Sequence, residues 1–244
     1  MAGAASARGR SRPARRYSRG PHGRGRAARR ARVVSARRPT GKTASSTRWL
    51  QRQARDPFVA AAEREGYRSR AAYKFAGLDD KLGLIAPARR ILDLGAAPGG
   101  WSQVAARRAR SGARIVAADI RRMDPVPGVE SLALDVHAPD AEAVLRAALG
   151  GSADLVLSDM APKATGHRAT DHLRIMALAE AALDLAAALL APGGAFVVKV
   201  LEGGDIKAFE GALKRRFARV AREKPKASRA ESSEFYFVAR DFLG

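Results

Sequence analysis

The chain has 244 residues, 46% of them hydrophobic, with a formal net charge of +21, which is enough apolar material for one substantial core and a strongly cationic balance. It contains no cysteine, so disulfides, thiolate catalysis and cysteine-held zinc or iron–sulfur centres are excluded. No apolar run reaches membrane-spanning length and none follows the basic start as in a signal peptide, so no membrane partner and a soluble, cytoplasmic protein are expected.

The charge is unevenly placed. Residues 1–48 contain 14 arginines and Lys42 with no acid, and so carry +15 of the +21. This segment, with Arg8-Gly-Arg10 and Arg24-Gly-Arg26, has almost no apolar periodicity and is expected to be a disordered tail that attracts phosphates without reading sequence. A solubilising leader and an organellar transit peptide are the competing readings of the same composition. Residues 49–244 are expected to form one folded domain.

Along that domain, Asp56-Pro57 reads as the cap and first turn of a helix running to about Glu65, and Arg70 to Leu82 places Ala71, Phe75, Leu78 and Leu82 at helical spacing. Strands are predicted at about 90–95, 114–119, 131–136, 153–159, 194–201, 217–223 and 234–240. Helices starting near Gly99, Pro139, Asp171 and Asp205 separate most of the first six, the exception being a proline-containing loop between the second and third strands. The last two strands have no helical pattern between them and are read as antiparallel neighbours. The result is an α/β fold: a Rossmann-like methyltransferase sheet of seven strands, mostly parallel with the last one antiparallel, and helices on both faces.

The chemistry starts at Ile91-Leu-Asp-Leu-Gly-Ala-Ala-Pro-Gly-Gly-Trp-Ser-Gln103, an apolar strand that breaks into a glycine-rich turn and opens a helix. Gly95 permits the turn, Pro98 suits a helix start, and Gly99 and Gly100 let a ligand approach backbone N–H groups at a positive helix end. Ala97 stands where the dinucleotide G-x-G-x-x-G needs its second glycine, which favours S-adenosylmethionine, a cofactor without a pyrophosphate. Asp119 ends the second strand, where an acid can accept both ribose hydroxyls, and Asp135 is read as ending the third, placed for the adenine amino group. Trp101 is read as lining the cofactor pocket. Histidines 22, 137, 167 and 172 lack triad or metal-ligand spacing and are read as surface or capping residues.

Ligands of such sheets bind outside the carboxyl ends of the parallel strands. Asp159 ends the fourth strand there, Lys199 lies near the end of an otherwise apolar fifth strand, and Glu234 starts the reversed last strand at the same edge. A lysine in that setting needs a partner or a task. Lys74, among apolar neighbours on the second helix, supplies a fourth group if that helix packs over the rim. A hydroxyl is a weak nucleophile, and Lys199 could take its proton as a neutral amine or, as an ammonium, steer the hydroxyl and stabilise the developing alkoxide. A buried salt-bridge network supporting the sheet is the purely structural alternative.

From Trp49 to Arg240 the chain resembles the FtsJ (RrmJ, RlmE) family of ribosomal RNA 2′-O-methyltransferases. The matching segments include Trp49-Leu-Gln51, Arg68-Ser-Arg-Ala71 with Lys74, Asp93 to Gln103, Met123-Asp-Pro125, Ser158-Asp-Met-Ala-Pro162, Leu190-Ala-Pro-Gly-Gly194, Phe196-Val-Val-Lys-Val200, and Lys224-Pro225 followed by Ser228-Arg-Ala230. The resemblance implies a catalytic tetrad at Lys74, Asp159, Lys199 and Glu234, and S-adenosylmethionine contacts at Gly99, Trp101, Asp119, Asp135 and Asp159. It also implies methylation of a ribose, a uridine's, in ribosomal RNA of the large subunit, by a chain acting as a monomer. Lys163 and Leu201-Glu-Gly-Gly-Asp205 depart from the expected pattern at the rim of the substrate cleft, and the arginine-rich tail matches nothing in the family core.

Overall fold

A computed structural model describes residues 56–162, 165–204 and 206–244. The expectations for the tail, for Trp49-Leu-Gln51, for Lys163 and for a helix start at Asp205 lie outside the described residues. Helix α1 spans Pro57–Glu65 and α2 spans Ala71–Leu82. Asp56 caps α1 by accepting the Phe58 N–H, Pro57 occupies the first turn where its missing N–H costs nothing, and Gly66 closes the helix in the left-handed conformation.

Then follow β1 (Arg90–Leu94), α3 (Gly100–Arg108), β2 (Arg114–Asp119), β3 (Val129–Ala133), α4 (Ala141–Leu149), β4 (Ala153–Ser158), α5 (Arg168–Leu189), β5 (Leu190–Leu201), α6 (Ile206–Arg216), β6 (Phe217–Glu223) and β7 (Glu234–Phe242). The strands form one seven-stranded sheet in the order β3-β2-β1-β4-β5-β7-β6. β3, β2, β1, β4 and β5 pair in parallel, while β7 runs antiparallel to both β5 and β6, as the sequence led us to expect. Chain order reverses between β1 and β4, and that switch point opens a crevice at the strands' carboxyl ends.

Because the central strands are covered on both sides, they are apolar on both faces, and the period of two sorts their residues into two cores. Leu92, Leu94, Val116, Val156, Phe196 and Val198 face the core built with α4, α5 and α6. Ile91, Ile115, Leu155, Leu157, Val197, Tyr236 and Val238 face the core built with α2 and α3, including Phe75, Leu78 and Trp101. The same alternation puts Asp93, Asp119, Asp159, Lys199 and Glu234 on the second face, that of α2 and α3, because each lies an even number of residues from a member of that core.

Several boundaries differ from the sequence reading by two to four residues, and two of them are informative. β3 ends at Ala133, not near residue 136, so Asp135 lies two residues beyond the strand. The alternation of Leu132, Leu134 and Val136 continues as if in a strand, but β3 is an edge strand whose pairing stops where its neighbour β2 ends at Asp119. β5 begins at Leu190, four residues early, with its register to β4 shifted between Ala153 and Leu155, where Ala191 to Gly194 bulge out of the pairing.

Candidate active site

The crevice is a cavity of about 1030 Å³ lined by the ends of β1, β2 and β4 and by Lys199. Among its lining residues are Asp93, Gly95, Gly100, Trp101, Asp119, Asp135 and Asp159, whereas Gly99 is not one of them. The glycines of the turn let protein pack closely against protein. Gly95 has φ +73°, and a Cβ there would lie 2.9 Å from the Cα of Met160. A Cβ on Gly99, at φ +110°, would meet Arg68 and Val126, and one on Gly100 would press on Ser69 at the start of α2. These two glycines therefore let the segment leading into α2 and the loop after β2 close over the turn, beside any part they have in ligand approach.

Arg68 secures that closure by donating to the carbonyls of Pro98 (3.1 Å), Asp124 (2.6 Å) and Pro125 (2.6 Å). Asp119 reaches back to the turn as well: its Oδ2 accepts from Ala97 N (2.9 Å) and its Oδ1 from Arg121 N (2.8 Å). Oδ1 also takes Arg121 Nε at 3.4 Å, whereas Oδ2 has the single donor Ala97 N, and Asp119 lines the cavity. Asp135 is exposed, and its Oδ1 accepts from His137 N (3.0 Å). It thus caps a turn at the cavity edge and does not end a strand. Trp101 belongs to the core as much as to the cavity, since it stacks on Phe75 at 4.8 Å and donates its Nε1–H to the Ala71 carbonyl at 2.9 Å.

The sequence reading passed over Asp93 because it sits inside an apolar strand. It is fully buried, lines the cavity, and accepts from Ser102 Oγ at 2.6 Å through Oδ2. Its Oδ1 has no partner among the described residues. Burial, then the charges of Asp159 and Asp119, push its carboxyl up to about 7, against the opposing Ser102 hydrogen bond. An orphaned buried carboxylate oxygen beside a cavity asks for a cationic donor. The α-ammonium of S-adenosylmethionine is such a donor, and a ribose diol matches the acceptors of Asp119. The residues present therefore fit that cofactor.

The four ionisable groups at the rim form two ion pairs. Lys199 Nζ lies 2.9 Å from Asp159 Oδ1 and donates to the Asp159 carbonyl at 2.7 Å. Tyr236, opposite Lys199 in the β5–β7 register, donates its hydroxyl to the same Oδ1 at 2.9 Å. Burial and the carboxylates of Asp159 and Glu234 raise the Tyr236 phenol well above its usual value, so it remains a donor. The second pair is Lys74 Nζ to Glu234 Oε1 at 2.5 Å. Both lysines are 8% exposed. The first pair lines the cavity, and neither member of the second is among its lining residues. Of the histidines described, His167 contacts Thr170 in the first turn of α5 and His172 packs its ring on Gly203.

A doubly wound sheet with a nucleoside-sized crevice at its switch point and a lysine–carboxylate pair at the crevice wall defines a Rossmann-like methyltransferase. The chain belongs to the FtsJ-like methyltransferase family, whose model matches residues 67–242. It is 53% identical over 213 residues to ribosomal RNA large subunit methyltransferase E of Zymomonas mobilis, covering 87% of this chain and 95% of that one. The protein of the same name from Granulibacter bethesdensis is 52% identical over 213 residues, with 87% and 92% covered. Among solved structures, a ribosomal RNA methyltransferase from Plasmodium falciparum superposes with a TM-score of 0.66 at 31% identity, over 73% of this chain and all of that one.

Asp119→Ala is expected to weaken S-adenosylmethionine binding at least tenfold, because a charge-supported hydrogen-bonding pair is worth roughly 1.5 to 3 kcal/mol and the Ala97 end of the turn loses its anchor as well. Calorimetric titration measures this, and an unchanged affinity removes Asp119 from the cofactor site.

Proposed function

We propose that this chain methylates the 2′-hydroxyl of a ribose, a uridine's, in large-subunit ribosomal RNA, using S-adenosylmethionine, in the cytoplasm and as a monomer. The observation that carries the reading is the Lys199–Asp159 pair, which lines the same cavity as Asp93 and Asp119. The names of the relatives support the substrate, and all four rim residues come from a single chain. Among the described residues, no helix is long and apolar enough to cross a membrane.

S-adenosylmethionine, when bound, supplies a methyl group activated by its sulfonium. The chain's own residues do the rest. Asp93 and Asp119 hold the amino-acid and ribose parts, and Asp159 with Tyr236 fixes Lys199. Two of the tetrahedral directions at Lys199 Nζ point to Asp159 Oδ1 and O, which leaves a third for the ribose hydroxyl. As an amine it accepts the hydroxyl proton there; as an ammonium it donates to the oxygen and stabilises the developing alkoxide. Incubating the protein with large ribosomal subunits and isotope-labelled cofactor, then locating the label by nucleoside mass spectrometry, tests the reading. Label on ribose 2′-oxygen is expected; label on a base, or none, overturns it.

We further assign residues 1–48 to phosphate capture and residues 49–244 to the methyltransferase domain. Deleting residues 1–44 removes 13 arginines and Lys42 and leaves the strands, the turn and all four rim residues. Affinity for the ribosomal particle is expected to fall most at low salt, and its logarithmic salt dependence to become shallower, with the target nucleotide unchanged. Superimposable salt titrations of the full and shortened chains would assign the tail to a leader instead.

A further inference from the structure

We propose that Ser228 is a positioning residue for methyl transfer: its hydroxyl fixes the Glu234 carboxylate that in turn holds Lys74. The inference rests on the methyltransferase reading above. Glu234 Oε1 accepts two donors, Lys74 Nζ at 2.5 Å and Ser228 Oγ at 3.0 Å. The terminal torsion of a glutamate is soft, so a single ion-pair contact leaves the carboxylate plane free to turn and the lysine free to follow it. A second donor on the same oxygen removes that freedom. Lys74 then spends one N–H on Glu234 and keeps two others in a defined direction.

Ser228 can do this because its loop is tied down. Residues 224–233, between β6 and β7, have no regular structure, yet Ser228 N donates to Pro225 O (2.8 Å), Ser232 N to Arg229 O (3.1 Å), and Lys224 Nζ to Ser232 O (2.8 Å). From outside the loop, Arg70 donates to the carbonyl of Ala227, the residue before Ser228. Asp56 joins the two, with Oδ2 at 3.0 Å from Arg70 Nε and 3.3 Å from Arg229 Nε. Arg70 and Lys74 are four residues apart at the start of one helix and so lie on one side of it. One helix thus carries both the hook that holds the Ser228 loop and the lysine that this loop steadies, so the distance between the Ser228 hydroxyl and Lys74 is set by a rigid element.

The test compares the parent, Ser228→Ala and Ser228→Thr in full-length protein, with large ribosomal subunits and S-adenosylmethionine. A lost hydrogen bond to a charged group predicts roughly a tenfold fall in kcat for Ser228→Ala. KM for the particle and the Kd for S-adenosylmethionine should stay at the parental values, the unfolding temperature should fall by a few degrees only, and Ser228→Thr, which keeps a hydroxyl, should recover most of the rate. A parental kcat in Ser228→Ala beside an active parent overturns the inference alone. So does a loss confined to KM, which makes Ser228 an RNA contact, or a threonine variant as slow as the alanine. A parent inactive on the particle overturns the methyltransferase reading and the inference with it.

Discussion

Lys199→Ala is expected to lose methyl transfer by about 10²- to 10⁴-fold, the range that a positioned proton-transfer group contributes, while still binding S-adenosylmethionine. The structure separates the two effects. Asp93 and Asp119, the acids assigned to the cofactor, make no contact with Lys199, and Asp159 keeps the Tyr236 hydroxyl on Oδ1 when the lysine is gone. Asp159→Ala should be as inactive and also less stable, by about 3 kcal/mol, because it leaves the buried Lys199 with only the residue-159 carbonyl as acceptor and the buried Tyr236 hydroxyl without its carboxylate. Transfer of labelled methyl to ribosomal particles, run beside calorimetry and thermal unfolding, gives all three quantities. Parental turnover in Lys199→Ala would falsify the assignment.

Most of this site could be read from the sequence because strands alternate. A lysine at the end of an apolar strand and acids at the ends of its neighbours share a face whenever their parity matches that of the core, and the parity of Ile91, Leu157, Val197 and Tyr236 was already in the sequence. What could not be read is pairing that depends on tertiary packing. Nothing local says that Lys74 faces Glu234 and not Asp159, since that follows from where α2 rests on the sheet. Asp135 was misplaced because the apolar alternation outlasts the strand: at a sheet edge, the neighbour's length sets where pairing stops. A glycine-rich turn invites a ligand interpretation, and at Gly99 and Gly100 tertiary packing adds a second demand, since the space a side chain would need is taken by Arg68 and Ser69. Trp101 shows that core and cavity are not exclusive, since one ring face stacks on Phe75 while the residue still lines the crevice.

Asp93→Asn should stabilise the protein and cripple its cofactor site together. The carboxyl titrates near 7 in the folded chain against an ordinary value of 3.8, so the folded state binds the extra proton between those values. Stability from this group is therefore highest below about pH 4, falls as pH rises from about 4 to 7, and is flat above that. The shift corresponds to a cost on the order of 4 kcal/mol at pH 8. Asparagine keeps an oxygen for Ser102 and places an amide N–H₂ where Oδ1 had no partner, an orphan donor that costs about 2 kcal/mol. The net gain of about 2 kcal/mol at pH 8 should raise the unfolding temperature by roughly 5 °C, and the gain should vanish toward pH 5 as the parent takes up its proton. The same substitution removes the negative charge facing the cofactor's ammonium and puts a donor there instead, so S-adenosylmethionine affinity should fall by at least tenfold. Added cofactor at one fixed concentration should then stabilise the parent at pH 8 more than the variant, by up to about 1.4 kcal/mol for a tenfold loss of affinity. Thermal unfolding at pH 5 and pH 8, with and without S-adenosylmethionine, reads every arm. An asparagine variant that unfolds at the parental temperature at pH 8 would show that Asp93 carries no buried charge. One that the cofactor stabilises as fully as the parent would place the ammonium elsewhere.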